Sequence, residues 1–296
     1  MSNLPKFSKQ LGLLFSLIAI ASYSQTKTYS IAFGSCDNQR LKNELWKSID
    51  VNHPVAWIWG GDDVYSDTED MMELKENYAI QKNDSDYLQF ISNKQILGTW
   101  DDHDYGLNDG GEEYPYKRES QQLLFDFLGT SKDAPERFRD GVYNSRVIDF
   151  DGNKVKVIVL DTRFFRTAVT KAVNSKKRLQ PNPYGQGTIL GEAQWKWLEQ
   201  ELNASDAQFN VIVSSIQLVS DQHGFECWGN FPHEIDKLEK MLAASKAKGT
   251  FIISGDRHIA TFSSKKIANL NYPLVDFTSS GLTHVYSSFS GEENPY

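Results

Sequence analysis

Three short apolar runs in this chain each end in a cluster of acids, and no other feature limits its fold so strongly. Val55-Ala56-Trp57-Ile58-Trp59 leads into Gly61-Asp62-Asp63-Val64-Tyr65. Gln95-Ile96-Leu97-Gly98-Thr99 leads into Trp100-Asp101-Asp102-His103-Asp104, and Thr250-Phe251-Ile252-Ile253-Ser254 into Gly255-Asp256-Arg257-His258. A continuous apolar run bounded by a turn residue reads as a buried strand. Polar groups just past such strands lie where open α/β sheets build their sites. Three clusters that mix carboxylate, imidazole and phenol point to a polynuclear metal centre.

The remaining pattern alternates strands and helices. A strand is expected over Thr28 to Phe33, a helix over Leu41 to Asp50, and a helical region over Glu69 to Ser92. A loop rich in Gly, Asn and Tyr runs to Tyr116. The helix that follows, Arg118 to Leu128, puts Leu124, Phe125 and Leu128 on one face and stops at Gly129. Tyr143 to Phe150 and Val155 to Asp161 read as an antiparallel pair around the turn Asp151-Gly152-Asn153. Thr170 to Thr188, rich in Pro, Gly and Asn, reads as a surface loop. A helix over Gly191 to Leu202 buries Trp195, Leu198 and Leu202. The strand Val211 to Ile216 and the helix His233 to Leu242 follow, and Pro273 to Tyr286 is strand-like. The polar tail Gly291 to Tyr296 closes no element, which leaves open whether the fold's final strands are missing. Hairpins mixed with βα units imply an α/β fold of two packed mixed β-sheets flanked by helices, in one domain over residues 25–296.

The N-terminus reads as a targeting segment. Lys6 and Lys9 precede the apolar stretch Leu11 to Ala21, and Ser22-Tyr23-Ser24 offers small residues for cleavage before Gln25. Residues 1–24 are thus an expected signal peptide, with an apolar stretch too short for a membrane span. No Cys follows it for lipid attachment and no Arg pair precedes it. Export by the general route to the periplasm or beyond is expected, with no stable membrane anchor. The net charge of -8 and the lack of a basic stripe argue against a dedicated nucleic-acid binder. Cys36 and Cys227 suggest a disulfide in an exported protein, but Cys36 has a competing use.

Together, Gly61-Asp62-Asp63-Val64-Tyr65, Asp102-His103-Asp104 and Gly255-Asp256-Arg257-His258 resemble the metallophosphoesterase signature. The chain departs from it in two places: Asp102 stands where a bridging Asn is usual, and Asp256 replaces the first of two late histidines. Those departures, with Cys36 in Gly34-Ser35-Cys36 and Tyr65 three residues after Asp62, resemble the alkaline phosphatase D (PhoD-like) family. Asp161-Thr162-Arg163, Trp228-Gly229-Asn230-Phe231-Pro232 and Ser279-Ser280-Gly281 are similar to that family too. The resemblance runs from Phe33 to about Tyr286.

The resemblance implies an αββα sandwich and a centre of one ferric ion (Fe3+) with calcium (Ca2+) beside it. The residue chemistry agrees: a phenol is a poor calcium ligand at neutral pH, while ferric iron holds a phenolate, and thiolate suits iron rather than calcium. By correspondence, iron falls to Cys36, Asp62, Tyr65 and one or both of Asp256 and His258. Asp62 is the natural bridge, and Asp102 or Asp101 holds calcium. The implied activity is hydrolysis of phosphate esters by a metal-bound hydroxide. His103 is the candidate general acid, steadied by Asp104 or its neighbours. Arg163 is a candidate fork for a phosphate oxygen or else a partner of Asp161, and Asn108 is a weaker phosphate ligand. His284 is a further residue that can reach the site. Two other functions stay in view: a glycoside hydrolase built on Asp101 and Asp104, and a non-catalytic binding module stabilised by calcium.

Overall fold

The computed structural model describes residues 27–173 and 175–296; the expected signal peptide lies outside them. A three-stranded parallel sheet joins β1 (Ile31–Gly34), β2 (Ala56–Gly60) and β3 (Gln95–Thr99) in that order. Beyond it come β4 (Asn144–Phe150) and β5 (Asn153–Val159), then a two-residue pair, β6 (Thr170–Lys171) with β7 (Leu179–Gln180), inside the expected surface loop. The chain continues with β8 (Phe209–Ser214), β9 (Thr250–Ser254), β10 (Ala260–Lys265) and β11 (Leu274–Ser279). The larger sheet has the order β10-β11-β9-β8-β5-β4. Its centre is parallel and both its edge pairs are antiparallel, so the mixed strand directions reside in this sheet.

Side-chain alternation along β2 explains how the layers stack. Ala56 and Ile58 pack with Val157, Val159, Val211, Val213 and Ile253 between the sheets. Trp57 and Trp59 point the other way, onto Trp46 of α1 (Trp46–Asp50), Tyr87 and Phe90. That outer layer also holds α2 (Met71–Lys82), α3 (Ser85–Ile91) and α5 (Lys117–Phe127), which follows a one-turn helix α4 (Asp102–Tyr105). On the far face of the larger sheet, α6 (Gly191–Asn203) buries Trp195, Leu198 and Leu202. Beside it α7 (Pro232–Ala244) buries Leu238 and Leu242. The result is helix, sheet, sheet, helix, and burial of these apolar faces is the main stabilising term.

Several local expectations change. The helix expected from Leu41 forms only from Trp46, because Asn43 turns its amide to Asp37 and accepts from the Leu45 amide. The helical region from Glu69 is two helices, divided where Asp84 accepts from the Tyr87 amide at 2.8 Å and so caps the second. β10 escaped the sequence reading because it is a half-exposed edge strand with few apolar residues. Past β11, residues 280–286 leave the sheet as a loop rather than continuing a strand. Cys36 and Cys227 are both buried and free, so the disulfide alternative is set aside.

Candidate metal centre

The parallel strands β1, β2, β3 and β9 release the chain at one edge, where the two sheets meet. There the backbone is held in unusual shapes. Cys36 (φ 61°), Asp62 (φ 50°), Asp256 (φ 68°) and His258 (φ 55°) all occupy the left-handed region. For residues other than glycine such conformations carry strain and cluster at functional sites. Gly61 fits here for a related reason. Its φ is +98°, and a Cβ would stand 2.6 Å from the Cβ of Asp101.

These turns bring the predicted ligands together. Cys36 Sγ lies 3.3 Å from Asp62 Oδ2 and 3.2 Å from Ser280 Oγ. Tyr65 donates its hydroxyl to Asp62 Oδ2 at 3.3 Å and stands 3.3 Å from His258 Nε2. Cys36, Asp62 and His258 offer ligand atoms within 4.8 Å of one another, as do Asp101, Asp102 and Asp256. Asp62 and Asp102 also group with His103 in the same way, which links the two sets. Asp101 Oδ2 and Asp102 Oδ1 are buried without a hydrogen-bond partner, and such orphaned oxygens call for an explanation.

The electrostatics ask for positive charge. Burial, then Asp102 and Asp101, push the Asp62 carboxyl well above its ordinary range. Burial and then Asp101 do the same to Asp256, and burial and then Asp62 raise the Cys36 thiol. Burial pushes Asp101 up to about 7 despite its arginine partner. Asp102 goes the other way: burial opposes its ionisation, but Arg163, His103 and nearby donors outweigh that and lower it. So many acids in one dry space ionise together only when cations join them. Thiol, phenol, imidazole and carboxylate in one set, beside a set of carboxylates alone, fit a softer or redox metal next to a hard one.

The other predicted residues fall in less expected places. His103 turns its ring toward Asp67, with Nδ1 2.7 Å from Oδ2, and packs its face on Tyr65 with ring centres 4.2 Å apart. Burial opposes its protonation, yet Asp67, Asp62 and Asp102 together raise its pKa to about 10. Its carboxylate partner is therefore Asp67 rather than Asp104. Asp104 instead caps α4, accepting from the amides of Asp101 at 2.8 Å and Asp63 at 3.3 Å and from the Tyr78 hydroxyl. Arg163 is fully buried. Its guanidinium meets Asp101 at 2.6 Å and Glu226 at 2.6 Å, and Asp161 touches only its backbone amide. Asn108 donates to Asp102 Oδ2 at 2.6 Å. Both side chains expected on substrate are thus committed to the acids of the cluster.

Glu226, Asp67 and Asp109 escaped the sequence reading, and Ser280 figures there only within a motif, without a role. Glu226 joins Arg163 to Arg166. Asp109 donates its amide to Asp102 Oδ2 at 2.8 Å, and Ser280 accepts from the His258 amide at 2.6 Å. Glu226, Asp67 and Asp109 do not stand directly after an apolar run, so the signal that marked the three clusters was absent for them. The ring of His284 does reach the site, 4.4 Å from that of His258 and 5.0 Å from that of Tyr65.

Comparison with known proteins bears on the family and the fold. The family profile described as PhoD-like phosphatase matches residues 138–292. Alkaline phosphatase D of Bacillus subtilis (strain 168) is 23% identical over 147 residues, which cover 44% of this chain and 25% of that protein. A solved structure of PhoD superposes with a TM-score of 0.70 at 17% identity, covering 86% of this chain and 56% of that one. A dimetal phosphatase from Danio rerio gives 0.57 at 11% identity, covering 86% and 88%. GAP50, the anchor in the inner membrane complex of Plasmodium, gives 0.53 at 12%, covering 89% and 75%. At such identities these structures share the fold. The chain spans a quarter of the length of the curated relative and just over half of the PhoD structure.

Proposed function

The chain belongs to the PhoD-like phosphatase family, and from that premise we propose that it is an exported, metal-dependent hydrolase of phosphate esters. One observation carries the proposal: seven ligand-type residues from three separate strand ends, with Cys36 from a fourth, converge on one buried cluster with orphaned carboxylate oxygens. Cys36, Asp62, Tyr65 and His258 would hold ferric iron, and Asp101, Asp102 and Asp256 would hold calcium. When bound, such cations lower the pKa of water and neutralise phosphate oxygens. The protein's own part is to hold this geometry and supply a proton. His103, kept protonated by Asp67, is the donor for the leaving oxygen. Arg163 and Asn108 orient Asp101 and Asp102, and Asp104 fixes the helix end that carries Asp102 and His103.

A glycosidase built on Asp101 and Asp104 finds no support, since Asp104 gives its oxygens to backbone amides and Tyr78. GAP50 shows that a chain of this fold can be described as an anchor, so catalysis needs a direct test. Among the described residues no helix is long and apolar enough to cross a membrane. The test combines elemental analysis, a visible spectrum and assays on nitrophenyl phosphate and its diester. Iron, calcium, a phenolate-to-iron band that Tyr65→Phe removes, and hydrolysis are expected. A colourless, iron-free protein with full activity would overturn the iron assignment. A fully metallated protein that cleaves no ester would overturn the enzymatic one.

A further inference from the structure

Lys176-Lys177-Arg178 is the longest run of basic residues in a chain of net charge -8, and the fold sets it beside the acidic cluster. Arg178 pairs with Asp109, whose amide donates to Asp102 Oδ2 at 2.8 Å. From the other direction, the Tyr286 amide donates to the carbonyl of His258 at 2.9 Å. A cavity of about 580 Å³ lies between, lined by these cations, by Phe225, Tyr286 and Phe289, and by Glu292 and Glu293, of which Glu292 is taken up by Arg257. The rings touch one another: Tyr286 is 6.4 Å from Phe225 and 5.9 Å from Phe289 by ring centres. Tyr286 and Phe289 remain 38% and 39% exposed. Phe225 already carries the guanidinium of Arg257 on its face, 4.0 Å from the ring centre.

We propose that this cavity receives the leaving group of the ester and that the leaving group is a nucleotide. Aromatic walls select a planar π system, and Lys176, with Lys177 beside it, selects a second phosphate, while Arg178 stays with Asp109. A sugar offers neither group, and an acyl chain gains nothing from the lysines. Lys176 has no ion-pair partner among the described residues. Lys177 is held by Glu293 at 2.8 Å in a largely exposed pair. Exposed pairs contribute little, so an incoming phosphate displaces Glu293 readily. In the reaction the oxygen of water bonds to phosphorus and the bond from phosphorus to the sugar oxygen breaks. The leaving oxygen takes a proton, and the nucleotide departs through the cavity.

This rests on the phosphoesterase reading, and the experiment keeps the two apart. kcat/KM is measured for adenosine 3′,5′-bisphosphate, 3′-AMP and 2-glycerophosphate, with nitrophenyl phosphate as control. If only diesters are cleaved, the matching dinucleotides replace them. Base and second phosphate should each raise kcat/KM about tenfold, the scale of one stacking partner. Tyr286→Ala should remove the gain from the base, and Lys176→Ala with Lys177→Ala the gain from the phosphate. Equal rates across the series, or equal losses on every substrate in Tyr286→Ala, overturn the proposal. If no ester is cleaved at all, the phosphoesterase reading fails and calorimetry decides the cavity. AMP should then bind about tenfold tighter than ribose 5-phosphate to the wild type but not to Tyr286→Ala; equal affinities overturn the nucleotide assignment.

Discussion

Arg163 sits between Asp101 and Glu226 with no exposed surface. Its removal strands the buried Asp101 carboxylate and leaves Glu226 to Arg166 alone, and breaking a buried pair in this way costs about 3 to 5 kcal/mol. Arg163→Ala should lower the urea midpoint by a corresponding amount, and Arg163→Lys should recover only part because one ammonium cannot serve both acids. Midpoints equal to wild type would show that the pairs carry no stability. His223 offers a second test at this scale. Burial first, then Arg257 and Lys177, hold its pKa down to about 3, against an ordinary 6.5. Between those values the unfolded chain binds the extra proton. The contribution of His223 is therefore complete above pH 6.5 and is lost as pH falls toward 3. Relative to His223→Gln, the wild type should lose on the order of 1 kcal/mol between pH 7.5 and 5.5. Parallel pH curves from urea titrations would refute this.

At the scale of elements, the site depends on how closely strand ends approach. Gly255 follows β9, and a Cβ there would stand 2.6 Å from the Gly60 carbonyl, 2.7 Å from Ser35 Oγ and 3.0 Å from the Ser215 carbonyl. The ends of β1, β2, β8 and β9 thus converge on one small residue. Gly255→Ala must separate them, at about 1 to 3 kcal/mol for an overpacked interior. Because Asp62 and Asp256 lie just past those ends, the variant should melt lower and also bind less metal than wild type. A lower melting point with unchanged metal content would mean that the ligands do not depend on this approach. Helix α4 works by the same logic: its Asp104 cap fixes one turn, and that turn carries Asp102 and His103.

At the scale of the whole molecule, the cluster stitches the layers together. Cys36, Asp62 and Asp102 come from the three-stranded sheet's side and Asp256 and His258 from the six-stranded sheet's. Cations bound between them would oppose separation of the sheets. Ligand held by the folded state alone stabilises by about 2.7 kcal/mol at a hundredfold excess over Kd. Calorimetry with EGTA should therefore show a lower Tm that returns with Ca2+. A Tm indifferent to prolonged chelation would remove calcium from the account.

Val55 to Trp59 followed by Gly61-Asp62-Asp63 could be read from the chain alone, because burial of a strand and the turn that ends it are local demands written in adjacent residues. The same holds for the 3.6-residue spacing of Trp195, Leu198 and Leu202, and it is why the layered fold and the three acidic strand ends were foreseeable. The partners of those ends were not. Asp67 faces His103 from 36 positions away, and Glu226 faces Arg163 from 63. A carboxylate in a loop carries no local mark of the charge it will meet. Whether Arg163 would turn to substrate or to Asp101 depended on which acids the packed sheets left buried beside it. Tertiary structure decides that question because the energy of a charge depends on its solvation and neighbours, which exist only once the sheets have closed.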